Sequence, residues 1–395
     1  MVKKSIFYLM GDLSVAFTQF AILILIAKFF SINELGLFTY FLAIIAPVSY
    51  LIQMQHRTVY VTNGFPQFGI IDYLISRAIL FLVLASVSYG LLIVINKSDI
   101  IFILIFLWKF GEMLSDLIYG YWQKNNLIFN ISVNKVIRSG IQLVVFTGCL
   151  LSNNSLETSL FLLALTTLLI FVFELRKIEK PNCINFNFNY FNEFVVFTLP
   201  LAIYSTLSIL YINIPKYLIE YTLSVEEVAI YSTISYFLIV GNLVINSLIQ
   251  VRLKTLTNLF QSNLNKFYDS VKRIIMFISI LVITAITLVY LWGEFLLRVV
   301  YTEEISKYND LLILLLIGSI FSYASILIGV IFTIAKEYSI QPYLSVMWCV
   351  IHLGTSLALI HLYGIYGSGY SFIISSIFQL TTSIIALKKI VINRR

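Results

Sequence analysis

Lys109, Glu112 and Asp116 fall at i, i+3 and i+7 inside an apolar run, and Lys135, Arg138 and Gln142 repeat that spacing in the next run. On a helix each trio shares one face. A charge within a bilayer costs at least ~2.5–3.5 kcal/mol on insertion scales, so these groups must meet a partner or a wet cavity. Two chemistries fit: an ion-pair ladder that fastens helices together, or a cationic site for an anionic headgroup. Arginine suits phosphate because its planar fork donates to two oxygens at once. The two runs read as antiparallel helices about the polar turn Gln123-Lys124-Asn125-Asn126. Reflection through that turn sets Asp116 level with Lys135 or Asn134, Glu112 with Arg138, and Lys109 with Gln142. Arg138 then lies roughly 16 Å into its span at the helical rise, near the bilayer midplane. Three cations against two anions on these spans leave one positive charge over, which favours an anionic ligand.

Other polar residues within apolar runs take lesser roles. Asp12 either pairs with a cation or serves as a protonatable coupling group, and the structural reading is the stronger. Arg77, beside Asp72, either snorkels to the interface or joins the headgroup set. Arg57 reads as an interfacial anchor. Lys216 reads as a snorkelling residue on a span that Pro200 and Pro215 should bend. His352 could line a substrate path, although a packing role is the stronger reading. No Ser/His/Asp set, Gly-rich phosphate loop or metal spacing is visible, so no cofactor, no metal and no ATP hydrolysis are expected. Cys149, Cys183 and Cys349 form no disulfide framework.

The elements that must position these residues follow from composition. Of 395 residues, 60% are hydrophobic and 11% charged, more apolar surface than a soluble domain can bury. Windows of ~20 apolar residues give about twelve spans: 6–27, 35–53, 70–95, 100–122, 127–150, 157–175, 194–218, 227–250, 273–297, 310–334, 340–361 and 365–387. The fourth and fifth are the least apolar because of their charges. The net charge of +7 reflects orientation rather than nucleic acid. With the N-terminus inside, seventeen of the 26 Lys and Arg residues fall on cytoplasmic loops and tails, and only Lys28, Lys97, Lys216, Arg298 and Lys307 fall outside. Both termini are then cytoplasmic, and the larger cytoplasmic loops are 53–69, 177–193 and 251–272.

The halves repeat. Ser31-Ile32-Asn33-Glu34-Leu35-Gly36-Leu37-Phe38 matches Ser224-Val225-Glu226-Glu227-Val228-Ala229-Ile230-Tyr231 class by class, each octet opening the second span of its half with a helix-cap pattern. Six spans per half make the repeat parallel, about an axis normal to the membrane, as in transporters whose path runs between halves. The expected organisation is an N-terminal six-helix bundle over 1–180, a cytoplasmic linker at 181–193 and a C-terminal six-helix bundle over 194–395. The charged ladder has no counterpart in the second half, which moves the reading from a purely structural ladder toward a one-sided headgroup site.

Three stretches carry a resemblance. Ser31–Phe38, Leu291-Trp292-Gly293-Glu294-Phe295 through Tyr301-Thr302-Glu303-Glu304, and Leu362-Tyr363-Gly364-Ile365-Tyr366-Gly367-Ser368-Gly369 resemble segments of the bacterial polysaccharide flippases. These are the O-antigen and capsule repeat-unit exporters of the multidrug/oligosaccharidyl-lipid/polysaccharide superfamily. The resemblance implies an all-α polytopic membrane protein whose two bundles form a V around a central cationic cavity. It implies transport of an undecaprenyl-pyrophosphate-linked oligosaccharide from the cytoplasmic to the periplasmic leaflet of the bacterial inner membrane, alongside other polysaccharide-assembly membrane proteins. Arg138, Lys135, Lys109 and Arg77 are then expected to hold the pyrophosphate. Asp12, Glu112 and Asp116 would serve coupling or the charge ladder, and Gln142 and His352 would line the cavity. The competing readings are a drug or cation antiporter centred on Asp12 and Asp116, and a membrane polymerase or acyltransferase. The short outside stretch 292–309 argues against the last.

Overall fold

A computed structural model describes residues 2–178, 187–335, 337 and 340–392. The described residues form helices and no strands. In chain order they are α1 (Val2–Phe29), α2 (Ile32–Gln53), α3 (His56–Val61), α4 (Ile70–Val94), α5 (Ile100–Lys124), α6 (Ile128–Leu151) and α7 (Leu156–Leu175). Then follow α8 (Phe188–Thr222), α9 (Val225–Ser262), α10 (Leu264–Val300), α11 (Glu303–Ser306), α12 (Asn309–Ile334), α13 (Ile340–Tyr363) and α14 (Ile365–Ile392). Ten segments among the described residues are long and apolar enough to cross a membrane. The helices α5 and α6, with 25 and 24 residues, match them in length but carry the charged trios. The all-α polytopic architecture with roughly twelve spans thus stands as read from the sequence.

One expectation fails. The stretch 251–272 is no loop: α9 and α10, of 38 and 37 residues, meet at Asn263. At the helical rise each is about 55 Å long, well beyond a hydrocarbon core of ~30 Å. The stretch holds neither Gly nor Pro, and its polar residues hide a helical period. Leu256, Phe260, Phe267 and Val271 are buried in one core with Leu327 and Ile331 of α12. Asn263 breaks the helix and caps the next, its side chain accepting from the Lys266 N–H at 3.0 Å.

The repeated octets become matching helix starts. Ser31 caps α2 in a full capping box, accepting from the Glu34 N–H at 3.3 Å while the Glu34 carboxylate accepts from the Ser31 N–H at 3.0 Å. Ser224 caps α9, accepting from the Glu227 N–H at 3.3 Å. The three-residue separation expected between the last two spans is a single turn residue, Gly364. Its φ of +60° is a left-handed conformation that glycine adopts without Cβ strain.

The chain divides into two compact units, Met1–Leu210 and Tyr211–Arg395. The division falls inside α8. Of the expected linker, residues 181–186 lie outside the described residues, as does Cys183, and α8 is already formed from Phe188. In the first unit α6 lies mainly against α1 and α7, while α5 lies against α7, α2, α3 and α4. An aromatic core of Phe65, Phe68, Tyr73, Trp122 and Phe194 closes one end. In the second unit α14 packs on α12 and α13, and α9 and α10 pack on α12.

Candidate functional site

Helix α5 packs on α7 closely because of Gly111. A Cβ there would stand 2.8 Å from Thr167 Cγ2, so only glycine lets the helices approach at this level. Neighbouring side chains are thereby brought into one polar cluster. Gln142 of α6 donates to Thr167 Oγ1 at 3.0 Å. Lys109 donates to Glu112 at 2.9 Å, and its ammonium sits 4.3 Å from the Trp108 ring centroid. Arg138 Nη2 lies 3.6 Å from the other Glu112 oxygen. Tyr119 donates to Asn134 at 2.9 Å across α5 and α6. Lys135 donates to Asp12 of α1 at 2.5 Å and lies 5.4 Å from the Tyr119 ring centroid. Arg138 and Lys135 are 5% and 9% exposed, so their charges depend on these carboxylates rather than on solvent.

Residues 118–310 of the chain match the model of a family described as polysaccharide biosynthesis protein. The capsular polysaccharide biosynthesis protein CapF of Staphylococcus aureus is 26% identical over 398 residues, which span 99% of this chain and all of that protein. The family model covers just under half of the chain, and the similarity to CapF runs from end to end of both chains. Solved structures share its fold. The lipid II flippase MurJ in an inward closed conformation matches with a TM-score of 0.80 at 15% identity, over 98% of this chain and 88% of that one. An inward-facing multidrug resistance MATE family transporter matches with a TM-score of 0.68 at 12% identity, over 98% and 95%.

The pairing expected from reflecting α5 onto α6 holds only at Glu112–Arg138. Asp116 does not meet Lys135. It accepts from Arg57 of α3 at 2.8 Å and lies 3.9 Å from Arg77 of α4. Arg57, expected as an interfacial anchor, also donates twice to Gln123 at 3.2 and 2.8 Å. The reason is packing: α6 turns toward α1 and α7, which leaves the inner part of α5 to α3 and α4. Arg77 is fully enclosed. It donates to the Met113 carbonyl and, at 3.3 Å, to the Gln53 carbonyl at the end of α2, a position where a cation meets the negative end of the helix dipole. His352 is buried in the second unit against Tyr211 and Phe372, with ring centroids 4.6 and 6.5 Å away.

The sequence reading missed Glu174. It lies near the end of α7, 1% exposed, beside Ser115 of α5 and Asn134 and Arg138 of α6. It fell inside the expected span 157–175, close to the end marked by Arg176 and Lys177, and was given no role. Its spacing of seven from Thr167, an inward position, was the available signal. Glu174 and Asp12 also remove the expected cation surplus. Lys109, Lys135 and Arg138 face Glu112, Asp12 and Glu174, one carboxylate for each cation.

Proposed function

We propose that this protein is an exporter that moves undecaprenyl-pyrophosphate-linked oligosaccharide repeat units from the cytoplasmic to the periplasmic leaflet of the bacterial inner membrane by alternating access. Both termini would be cytoplasmic. The observation that carries the reading is the membrane-buried cation cluster of the first unit, on a chain that matches a capsular polysaccharide biosynthesis protein end to end. A pyrophosphate needs basic partners at membrane depth, and Arg138, Lys135 and Lys109 supply them. Arg77 enters the proposal as a tie between α2, α4 and α5, because backbone carbonyls already occupy its guanidinium. Gln142 orients the floor of the cluster through Thr167. The exporter acts as a transporter rather than as an enzyme, with the lipid tail left in the bilayer.

A drug or cation antiporter would need acids free to receive a cation. Asp12 and Asp116 are instead held by Lys135 and Arg57 at 2.5 and 2.8 Å, which favours the flippase reading. The test is lipid-linked oligosaccharide flipping in proteoliposomes. Arg138→Ala and Lys135→Ala should each lose most of the flux per mole of folded, reconstituted protein. Wild-type flux in both would remove these residues from the headgroup site.

A further inference from the structure

We propose that Glu174 is a positioning residue that competes with the substrate's phosphate for Arg138. This rests on the headgroup role assigned to Arg138 above. Arg138 faces carboxylates from two different helices. Glu112 of α5 is already bonded to Lys109 at 2.9 Å, and Arg138 reaches it only at 3.6 Å, beyond a hydrogen bond. Arg138 Nη2 has no hydrogen-bond partner among the described residues. Glu174 of α7 is enclosed, and neither of its carboxylate oxygens has a hydrogen-bond partner among the described residues. The neutral donors beside it are Ser115 and Asn134. The cations within its electrostatic reach are Arg138 and, past the helix end, the exposed Lys177.

The guanidinium is therefore loosely held by one carboxylate and drawn by a second that is unsatisfied. An uncompensated carboxylate is strongly unfavourable in a site that excludes water. Movement of Arg138 from Glu112 to Glu174 would satisfy Glu174 and leave Glu112 with Lys109, so both arrangements of the cation are balanced. An entering phosphate must displace this attraction, and it meets like-charge repulsion from Glu174 once bound. Glu174 thus sets how tightly Arg138 holds an anion and lets it go. A purely structural acid would do the opposite on removal: the cluster would loosen and anion binding would weaken or stay the same.

The test uses the purified full-length protein in detergent, with farnesyl pyrophosphate and inorganic pyrophosphate as probes and calorimetry as readout. Glu174→Gln keeps the shape and removes the charge, so it should bind both probes roughly tenfold tighter than wild type. The gain should vanish in Glu174→Gln/Arg138→Gln. Glu174→Asp draws the charge back by one methylene and should tighten binding in the same direction by less, which serves if the Gln variant does not fold. Wild-type binding that depends on Arg138, with no tightening in either variant, overturns the inference and leaves the transport reading standing. No Arg138-dependent binding in any of these proteins overturns both the inference and the headgroup role of Arg138. The transport reading is then judged on flux alone.

Discussion

Removing Arg138 should hurt stability more than removing Glu112, and a second substitution should restore part of the loss. Arg138→Gln leaves Glu112 its 2.9 Å bond to Lys109 but strands Glu174, which is 1% exposed. Breaking a buried pair so that one charge is left uncompensated costs about 3–5 kcal/mol. Glu112→Gln is milder. Arg138 can turn to Glu174, and Lys109, whose side chain is 19% exposed, keeps the Trp108 face. The loss is then that of hydrogen bonds to charged groups, about 1.5–3 kcal/mol. Adding Glu174→Gln to Arg138→Gln removes the stranded charge and should return about 2 kcal/mol, a coupling within the range for residues in one network. Equilibrium unfolding in detergent micelles, run as a double-mutant cycle, measures all three quantities. If Glu174→Gln adds to the loss of Arg138→Gln instead of offsetting it, or if Glu112→Gln is the more damaging single change, the two-carboxylate description of Arg138 is wrong.

Two further outcomes follow from local geometry. Gly111→Ala places a methyl 2.8 Å from Thr167 Cγ2, so it should destabilise the α5–α7 contact by about 1–3 kcal/mol through overpacking, read as a lowered unfolding midpoint. Ser31→Ala should cost about 1 kcal/mol and Ser224→Ala less in the same thermal assay. The reason is that the Ser31 hydroxyl also donates to the Glu34 carboxylate, at 2.7 Å.

The spans were legible because apolar runs of bilayer length are hard to hide, and the caps at Ser31 and Ser224 because a serine followed three residues later by glutamate is a local signal. The partners of the charges were less legible. A hairpin can be reflected on paper, but which neighbour each helix turns toward depends on packing that is distant in sequence. Gly111 seats α5 on α7, and α6 follows α1. So Lys135 found Asp12, 123 residues away, and Asp116 found Arg57, 59 residues away. Both partners had been singled out in the sequence, but not for those pairings. The helical continuation at 251–272 was hidden differently. Its polar face masked Leu256, Phe260, Phe267 and Val271, whose period carries the helices past the membrane.

The charge balance of the cluster bears on how the proposed transport would use it. A lone cation at membrane depth would be unfavourable whenever the site is empty, and it would then hold an anion too firmly to release it. Pairing each cation with a carboxylate makes the empty site tolerable. Ligand binding becomes the difference between two pairings rather than the whole desolvation energy of an ion. In the second unit Arg298 pairs with Glu294 and Glu303, at 3.6 and 3.3 Å, on side chains more than half exposed. There, burial is met by serines on α14 and by apolar packing of α12. On the proposed transport reading, an anion held and then released at Arg138 is what the doubled carboxylates of the first unit would serve.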